Sequence, residues 1–265
     1  MKAPVEIHRG DSPLILGLPH TGTYVSADVR SKFNVRGRAL ADTDWNIHKL
    51  YDGLLPGATT VRATFHRYVI DANRDPAGIS LYPGQNTTGL VPLTDFEGEN
   101  IWGQAPSGGE VEHRREQFHA PYHAALEAEM ARVQAQHGVA ILYDCHSIRS
   151  RIDFLFEGTL PDFNIGTNNG TTCAPVIAKA VEDICQNAEG YSAVTNGRFK
   201  GGWTTRHYGR PEQGWHAIQM ELAQSTYMEE TAPWPYLHER ADRLRLHLKD
   251  ILTAIDAIAR KGDLT

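Results

Sequence analysis

The stretch Val139-Ala140-Ile141-Leu142, continued by Tyr143-Asp144-Cys145-His146-Ser147-Ile148-Arg149-Ser150, decides how the chain is read. A short apolar run rich in branched residues reads as a strand buried on both faces, the signature of a parallel sheet. Its continuation crowds an acid, a thiol, a histidine, a hydroxyl and arginines onto the end of that strand. A core strand needs none of these groups. In an open α/β sheet, however, ligands gather at the carboxyl ends of the strands.

Similar runs recur at Leu14-Ile15-Leu16, Thr60-Val61-Arg62-Ala63, Tyr68-Val69-Ile70, Phe154-Leu155-Phe156 and Ala217-Ile218-Gln219-Met220, and each is expected to be a strand. Helical patterns lie between them. Glu112 to His137 has apolar or small residues near every third or fourth position, and Pro175 suits the first turn of a helix running to Cys185. Pro235 to Arg260 sets Leu244, Leu248, Ile251, Ile255 and Ile258 on one side of a long helix. Alternating strands and helices predict a three-layer α/β sandwich with a mixed, largely parallel sheet. No repeat or linker divides residues 1–265, which are expected to form one catalytic domain. Residues 75–109 and 196–214, rich in turn formers and glycine, are expected to be loop excursions over a site.

Composition narrows the function. The chain has 265 residues, 41% hydrophobic, enough for one sizeable core. Its 26 basic and 32 acidic residues give a net charge of −6, so nucleic acid and anionic membrane are not expected as partners. Three cysteines without CxxC spacing, and an N-terminus without an apolar signal region, suggest a cytoplasmic protein.

Polar residues cluster at several strand ends. His20 follows the first strand, His146 lies in DCHS, and Asp71, Asn73 and Arg74 lie in DANRDP. Two histidines from different strands plus a carboxylate make the ligand set of a catalytic zinc site. The carboxylate candidates are Asp42 and Asp44 in ADTDW. Asp42 suits a helix N-cap, and Asp44 is the preferred ligand. Iron, cobalt or manganese would also suit such a set. Glu221 interrupts the last apolar strand, and burial would raise its pKa toward that of a working general base. Its alternative is a buried ion pair with an arginine. Arg74 and Arg206 offer planar forks for carboxylates, pointing to a small anionic substrate. Cys145 and His146, adjacent on a strand, face opposite ways and cannot readily share a proton.

Taken in order, PHTG, ADTDW, RYVIDANRDP, PYHAAL, YDCHSI, FKGGWTTRHYG and IQMELAQSTYMEE resemble the N-formylglutamate amidohydrolase (deformylase) family of histidine degradation, from about Pro13 to Glu230. The resemblance implies a phosphorylase/hydrolase-like fold similar to zinc carboxypeptidases and aspartoacylase. It implies His20 and His146 as metal ligands, Glu221 as base, and Asn73 with Arg74 at the substrate carboxylate. The middle ligand is not carried over, because the relatives place it soon after the first histidine and HTGTY has no acid there. Asp44 therefore rests on its own motif. The reaction implied is metal-dependent hydrolysis of N-formyl-L-glutamate, with Arg74 and Arg206 on its carboxylates. The rivals are a zinc-dependent deacylase of another N-acyl amino acid, a non-catalytic dicarboxylate-binding protein, and a cysteine amidase. Oligomeric state is left open.

Overall fold

The structure, a computed structural model, describes residues 2–80, 86–262 and 264. Its strands are β1 (Val5–His8), β2 (Leu14–Leu18), β3 (Thr59–Ala63), β4 (Ala140–Ile148), β5 (Phe163–Gly166), β6 (Ala193–Thr195) and β7 (Trp215–Ala223). Its helices are α1 (Ala27–Lys32), α2 (Val35–Ala39), α3 (Ile47–Tyr51), α4 (Gly108–Arg114), α5 (Ala120–His137), α6 (Pro175–Gln186), α7 (Trp203–Tyr208) and α8 (His238–Arg260). A π-turn over Arg115–His119 joins α4 to α5.

The strands form one sheet in the order β1-β3-β2-β4-β7-β5-β6. β3, β2, β4 and β7 are mutually parallel, β1 pairs antiparallel with β3, and β5 pairs antiparallel with β7. The mixed, largely parallel sheet expected from the sequence is thus the sheet found. Alternation along each strand divides two cores. Ile141, Tyr143, Cys145, Ile218, Met220 and Leu222 pack against α6 and α8, whereas Ala140, Leu142 and Ala217 pack toward α5.

The three longer helices expected are present, the first of them starting earlier and divided by the π-turn and the last starting at His238, while α1, α2 and α7 were not expected. Ser107 and Glu110 close a capping box at the start of α4, Pro175 opens α6, and Leu244, Leu248, Ile251 and Ile255 are buried along α8.

Two expected strands are turns. Tyr68-Val69-Ile70 is buried among aromatic residues but pairs with no strand, and Phe154-Leu155-Phe156 is a turn beside a small cluster of Phe96, Ile148, Ile152 and Leu160. The first run is apolar because it packs; in the second, Leu155 and Phe156 pack on the cluster and Phe154 is exposed. Conversely, β1, β5 and β6 are short and partly polar, so no apolar run announces them. The excursion at 75–109 is irregular up to α4, with 81–85 outside the described residues, while that at 196–214 contains α7.

After β2 the chain turns past the β3 end, where Tyr24 N–H donates to Thr64 O at 3.0 Å. Gly22 permits the approach: a Cβ there would stand 2.3 Å from Thr64 C and 2.5 Å from Phe65 O. Both obstacles are backbone, so neither can swing aside. Gly22→Ala is therefore expected to cost about 1–3 kcal/mol through overpacking. Urea unfolding would measure it, and an unchanged midpoint would contradict the packing argument.

Candidate functional site

The register of β4 against β7 builds one wall. Asp144 pairs with Gln219 and His146 with Glu221, and all four side chains lie on the sheet face turned away from Cys145. Cys145 instead packs in the apolar core, where burial pushes its thiol well above the ordinary value. The strand carries its chemistry within its last residues, not after them, since β4 continues to Ile148.

The opposite wall comes from the turns after β2 and β3. His20 donates from Nε2 to Asp71 Oδ1 at 2.7 Å. Asp71 also accepts from Arg67 Nη2 at 2.9 Å and from Asn73 N–H at 2.8 Å. Burial would raise the Asp71 pKa, but His20, Arg67 and Arg74 outweigh it and hold the carboxyl well below the usual range. Burial, with Arg67 beside it, lowers the pKa of His20. The Asp71 acceptor places a ring proton on Nε2 and turns Nδ1 toward Asp44, whose Oδ1 lies 3.9 Å away.

Asp44 is the centre of the group. Its backbone N–H donates to His20 O at 3.1 Å, and its Oδ2 accepts from Ser147 N–H at 3.1 Å and faces His146 Nδ1 at 3.2 Å. Donor atoms of His20, Asp44 and His146 all lie within 4.8 Å of one another, with all three residues buried. Burial opposes the charge on Asp44, but both histidines and Arg67 outweigh it and lower its pKa. Burial likewise opposes the charge on His146, and Asp144, Asp44 and Glu221 overcome it and raise the pKa well above 6.5. Its Nε2 faces Asp144 Oδ1 at 3.1 Å and Asn73 Nδ2 at 3.2 Å. When Nδ1 gives its lone pair to a cation, Nε2 keeps its proton and Asp144 is the acceptor at hand. Two imidazole nitrogens and a carboxylate suit a divalent transition metal.

Asp42 does not join this group. It was expected to cap a helix, but α3 begins at Ile47 behind Asn46. Asp42 accepts from Tyr68 Oη at 2.7 Å and Phe96 N–H at 2.8 Å, and burial pushes its pKa up to about 6.

Glu221 stands in a cleft also lined by His20, Arg67, Asn73, Arg74 and His146. Its Oε2 accepts from Gln219 Nε2 at 3.1 Å, and burial pushes its pKa up to about 8 despite the pull of His146. Arg74 is held by Thr88 O at 2.8 Å and Asn73 O at 2.9 Å. Arg206 stands outside the lining and donates from Nε to Gly201 O at 2.9 Å. The lining draws on both excursions, with Asn86, Thr87, Thr88 and Phe96 from one and Arg198, Phe199 and Gly202 from the other.

Sequence reasoning missed Arg67 and Arg198. Arg67 is buried, with its guanidinium 4.8 Å over the Phe96 ring. The signal was there: a charge adjoining an apolar run is what singled out Glu221. Arg198 donates to Leu155 O and to Asn86 O at 3.1 Å each, tying the two excursions to the turn after β4.

Comparison with known proteins points the same way. The family model for N-formylglutamate amidohydrolase matches residues 12–228. An N-formylglutamate deformylase of Pseudomonas putida is 48% identical over 96% of both chains. Another, from Pseudomonas aeruginosa, is 45% identical over 98% of this chain and 99% of its own. The crystal structure of an N-formylglutamate amidohydrolase from Ralstonia eutropha JMP134 superposes with a TM-score of 0.81 at 28% identity, covering 98% of this chain and 99% of its own. A structure from Agrobacterium tumefaciens, 18% identical with a TM-score of 0.65 and covering 96% of each chain, shares the fold.

Removing the Asp144 charge tests the ligand geometry. Asp144→Asn is expected to weaken divalent-metal affinity about 10–100-fold, as loss of a ligand's orienting partner does. Asp44→Ala should abolish binding, and Asp42→Asn should leave it in place. Competition with a chromogenic chelator measures all three, and equal losses at Asp42 and Asp44 would contradict the assignment.

Proposed function

Since the chain belongs to the N-formylglutamate amidohydrolase family, we propose that it hydrolyses N-formyl-L-glutamate to L-glutamate and formate at this cleft. His20, Asp44 and His146 would hold a divalent metal, zinc in the first place. A metal held there lowers the pKa of water and polarises the formyl oxygen. The observation that carries the reading is the pairing of His146 with Glu221 across β4 and β7, which sets a buried carboxylate beside the ligand group.

Glu221 acts as general base, taking the proton of the attacking water and passing it to the departing nitrogen. Arg67, buried in the lining and restrained by Asp71, stabilises negative charge developing on the former carbonyl oxygen. Asn73 and Arg74 hold one substrate carboxylate and Arg198 lies on the wall available to the other. Arg206 acts one step back, through the Gly201 carbonyl beside Gly202. Fixing both ends of a small dicarboxylate orients the formyl group without further chemistry. A mere dicarboxylate binder would have no use for a buried base, so that reading loses to hydrolysis. The same proposal places the reaction in histidine degradation and in the cytoplasm. Among the described residues no helix is long and apolar enough to cross a membrane.

Glu221→Gln is expected to lower kcat by about 10²–10⁴-fold with KM little changed, measured as formate release. Near-wild-type turnover would remove the base assignment. Chelation should abolish release and zinc should restore it. A base must be ionised, so activity falls as pH drops through the Glu221 pKa. That pKa is about 8 before any cation is bound, and a cation beside it would lower it. The acid limb of kcat/KM should therefore lie between 4.5 and 8, and Glu221→Gln should erase it.

A further inference from the structure

The PYHAAL segment has no place in the chemistry just described, yet its helix reaches the cleft from behind. α4, the π-turn and α5 run on continuously, and Ala120 N–H donates to Arg115 O, five residues back. Pro121 follows at once. It lacks an N–H, and its ring crowds the carbonyl four residues before it, which the wider turn relieves. The widening has a consequence for direction. In an unbroken α-helix Arg114 and His119 would point about 140° apart. Across the π-turn they face the same way, and His123 follows one α-turn later.

All three meet the segment that carries Asp71, Asn73 and Arg74. Arg114 Nη1 donates to Val69 O at 3.3 Å, His123 Nε2 to Ala72 O at 2.7 Å, and His119 Nε2 to Arg74 O at 3.0 Å. This segment lies in no strand, so its carbonyls have no ladder.

We propose that His119 and His123 are positioning residues whose Nε2–H groups bracket Asn73 and set the direction in which Asn73 and Arg74 face the cleft. The inference rests on the reading of Arg74 as a carboxylate holder. From the other side, Thr204 N–H donates to Asn73 Oδ1 at 2.8 Å, and a Cβ on Gly202 would stand 2.3 Å from Asn73 Nδ2. Asn73 is thus flanked by carbonyls held from the π-turn and α5, while its side chain is held from α7. The Trp203 ring closes the arrangement, its centroid 4.7 Å from His123 and 5.8 Å from His119. Burial lowers the pKa of both histidines, that of His123 to about 3, so each ring is a neutral donor with its proton on the nitrogen facing the carbonyl. For His123 the other nitrogen lies 3.1 Å from Tyr208 Oη, whose single proton also faces the His123 carbonyl at 3.1 Å.

The test compares alanine with glutamine, whose amide nitrogen can stand where Nε2 stood. His119→Ala and His123→Ala are expected to raise KM for N-formyl-L-glutamate about tenfold, with kcat within about threefold of wild type. Glutamine at either position should restore KM. A purely structural role would lower the active fraction, and so kcat, while leaving KM alone, and that result overturns the proposal. So does an unaltered KM in a folded alanine variant. A second measurement holds whatever the substrate is. Nitrogen-15 histidine spectra of the wild-type protein at pH 7 should show the Nε2–H tautomer at both rings, and an Nδ1–H tautomer at either overturns the clamp. If wild-type protein releases no formate from N-formyl-L-glutamate, the substrate reading fails by itself and the spectra decide the clamp.

Discussion

Asp71 is a carboxylate without access to water, and the site is assembled around it. It takes hydrogen bonds from His20, Arg67 and the Asn73 backbone, and Arg74 lies 3.9 Å away. A buried charge is tolerable only when paired and hydrogen-bonded, and here the partners His20, Arg67, Asn73 and Arg74 all line the cleft. The same contacts fix His20 in one tautomer, hold Arg67 in the cleft wall and start the turn that presents Asn73. Taking the carboxylate away would leave the Arg67 charge buried without its closest partner, an error of about 3–5 kcal/mol. Folding and site geometry are therefore one constraint at this position.

The sheet supplies the other half through its period of two. Along β4 and β7 alternate residues go to the apolar core beneath α8 or to the opposite face, which packs on α5 at its start and lines the cleft toward its end. A slip of one residue between sequence and face would bury His146 and Glu221 among leucines and present Cys145 and Met220 to the substrate. The apolar residues that hold α6 and α8 thus also determine which side chains reach the ligand group. His146 and Glu221 come from strands far apart in sequence, and only the parallel register makes them neighbours.

This explains what could be read from the sequence and what could not. Strand cores and long helices were legible because burial leaves a periodic record, as at Leu244, Leu248 and Ile251. His20, His146 and Glu221 stood out because each is costly or unusual beside apolar neighbours. The choice between Asp42 and Asp44 could not be made from spacing, since both are buried and both are hydrogen-bonded. What separates them is which loop each meets: Phe96 and Tyr68 for Asp42, Ser147 and His146 for Asp44. Tyr68-Val69-Ile70 misled for a related reason. A buried turn and a buried strand have the same composition, and only the helix donating to its carbonyls tells them apart. Arg206 was marked because its planar fork suits a carboxylate; in the fold its Nε donates to the Gly201 carbonyl.

The electrostatics of the cleft contain a tension that its architecture resolves. Burial holds the Glu221 proton up to a pKa of about 8, so near neutrality the isolated carboxyl is mostly in its acid form, the wrong state for a base. The same burial makes the group strongly responsive to nearby charge, because little water screens it. His146 already pulls its pKa down, and Asp44 pushes it up. A divalent cation among His20, Asp44 and His146 would neutralise the carboxylate and add positive charge, and both effects favour ionised Glu221. An exposed glutamate would be ionised at neutral pH in any case, yet too weak a base to take a proton from water and too weakly coupled to the site to return it. In the proposed reaction, burial beside His20, Asp44 and His146 raises the basicity of Glu221 and ties its ionisation to a cation at the site.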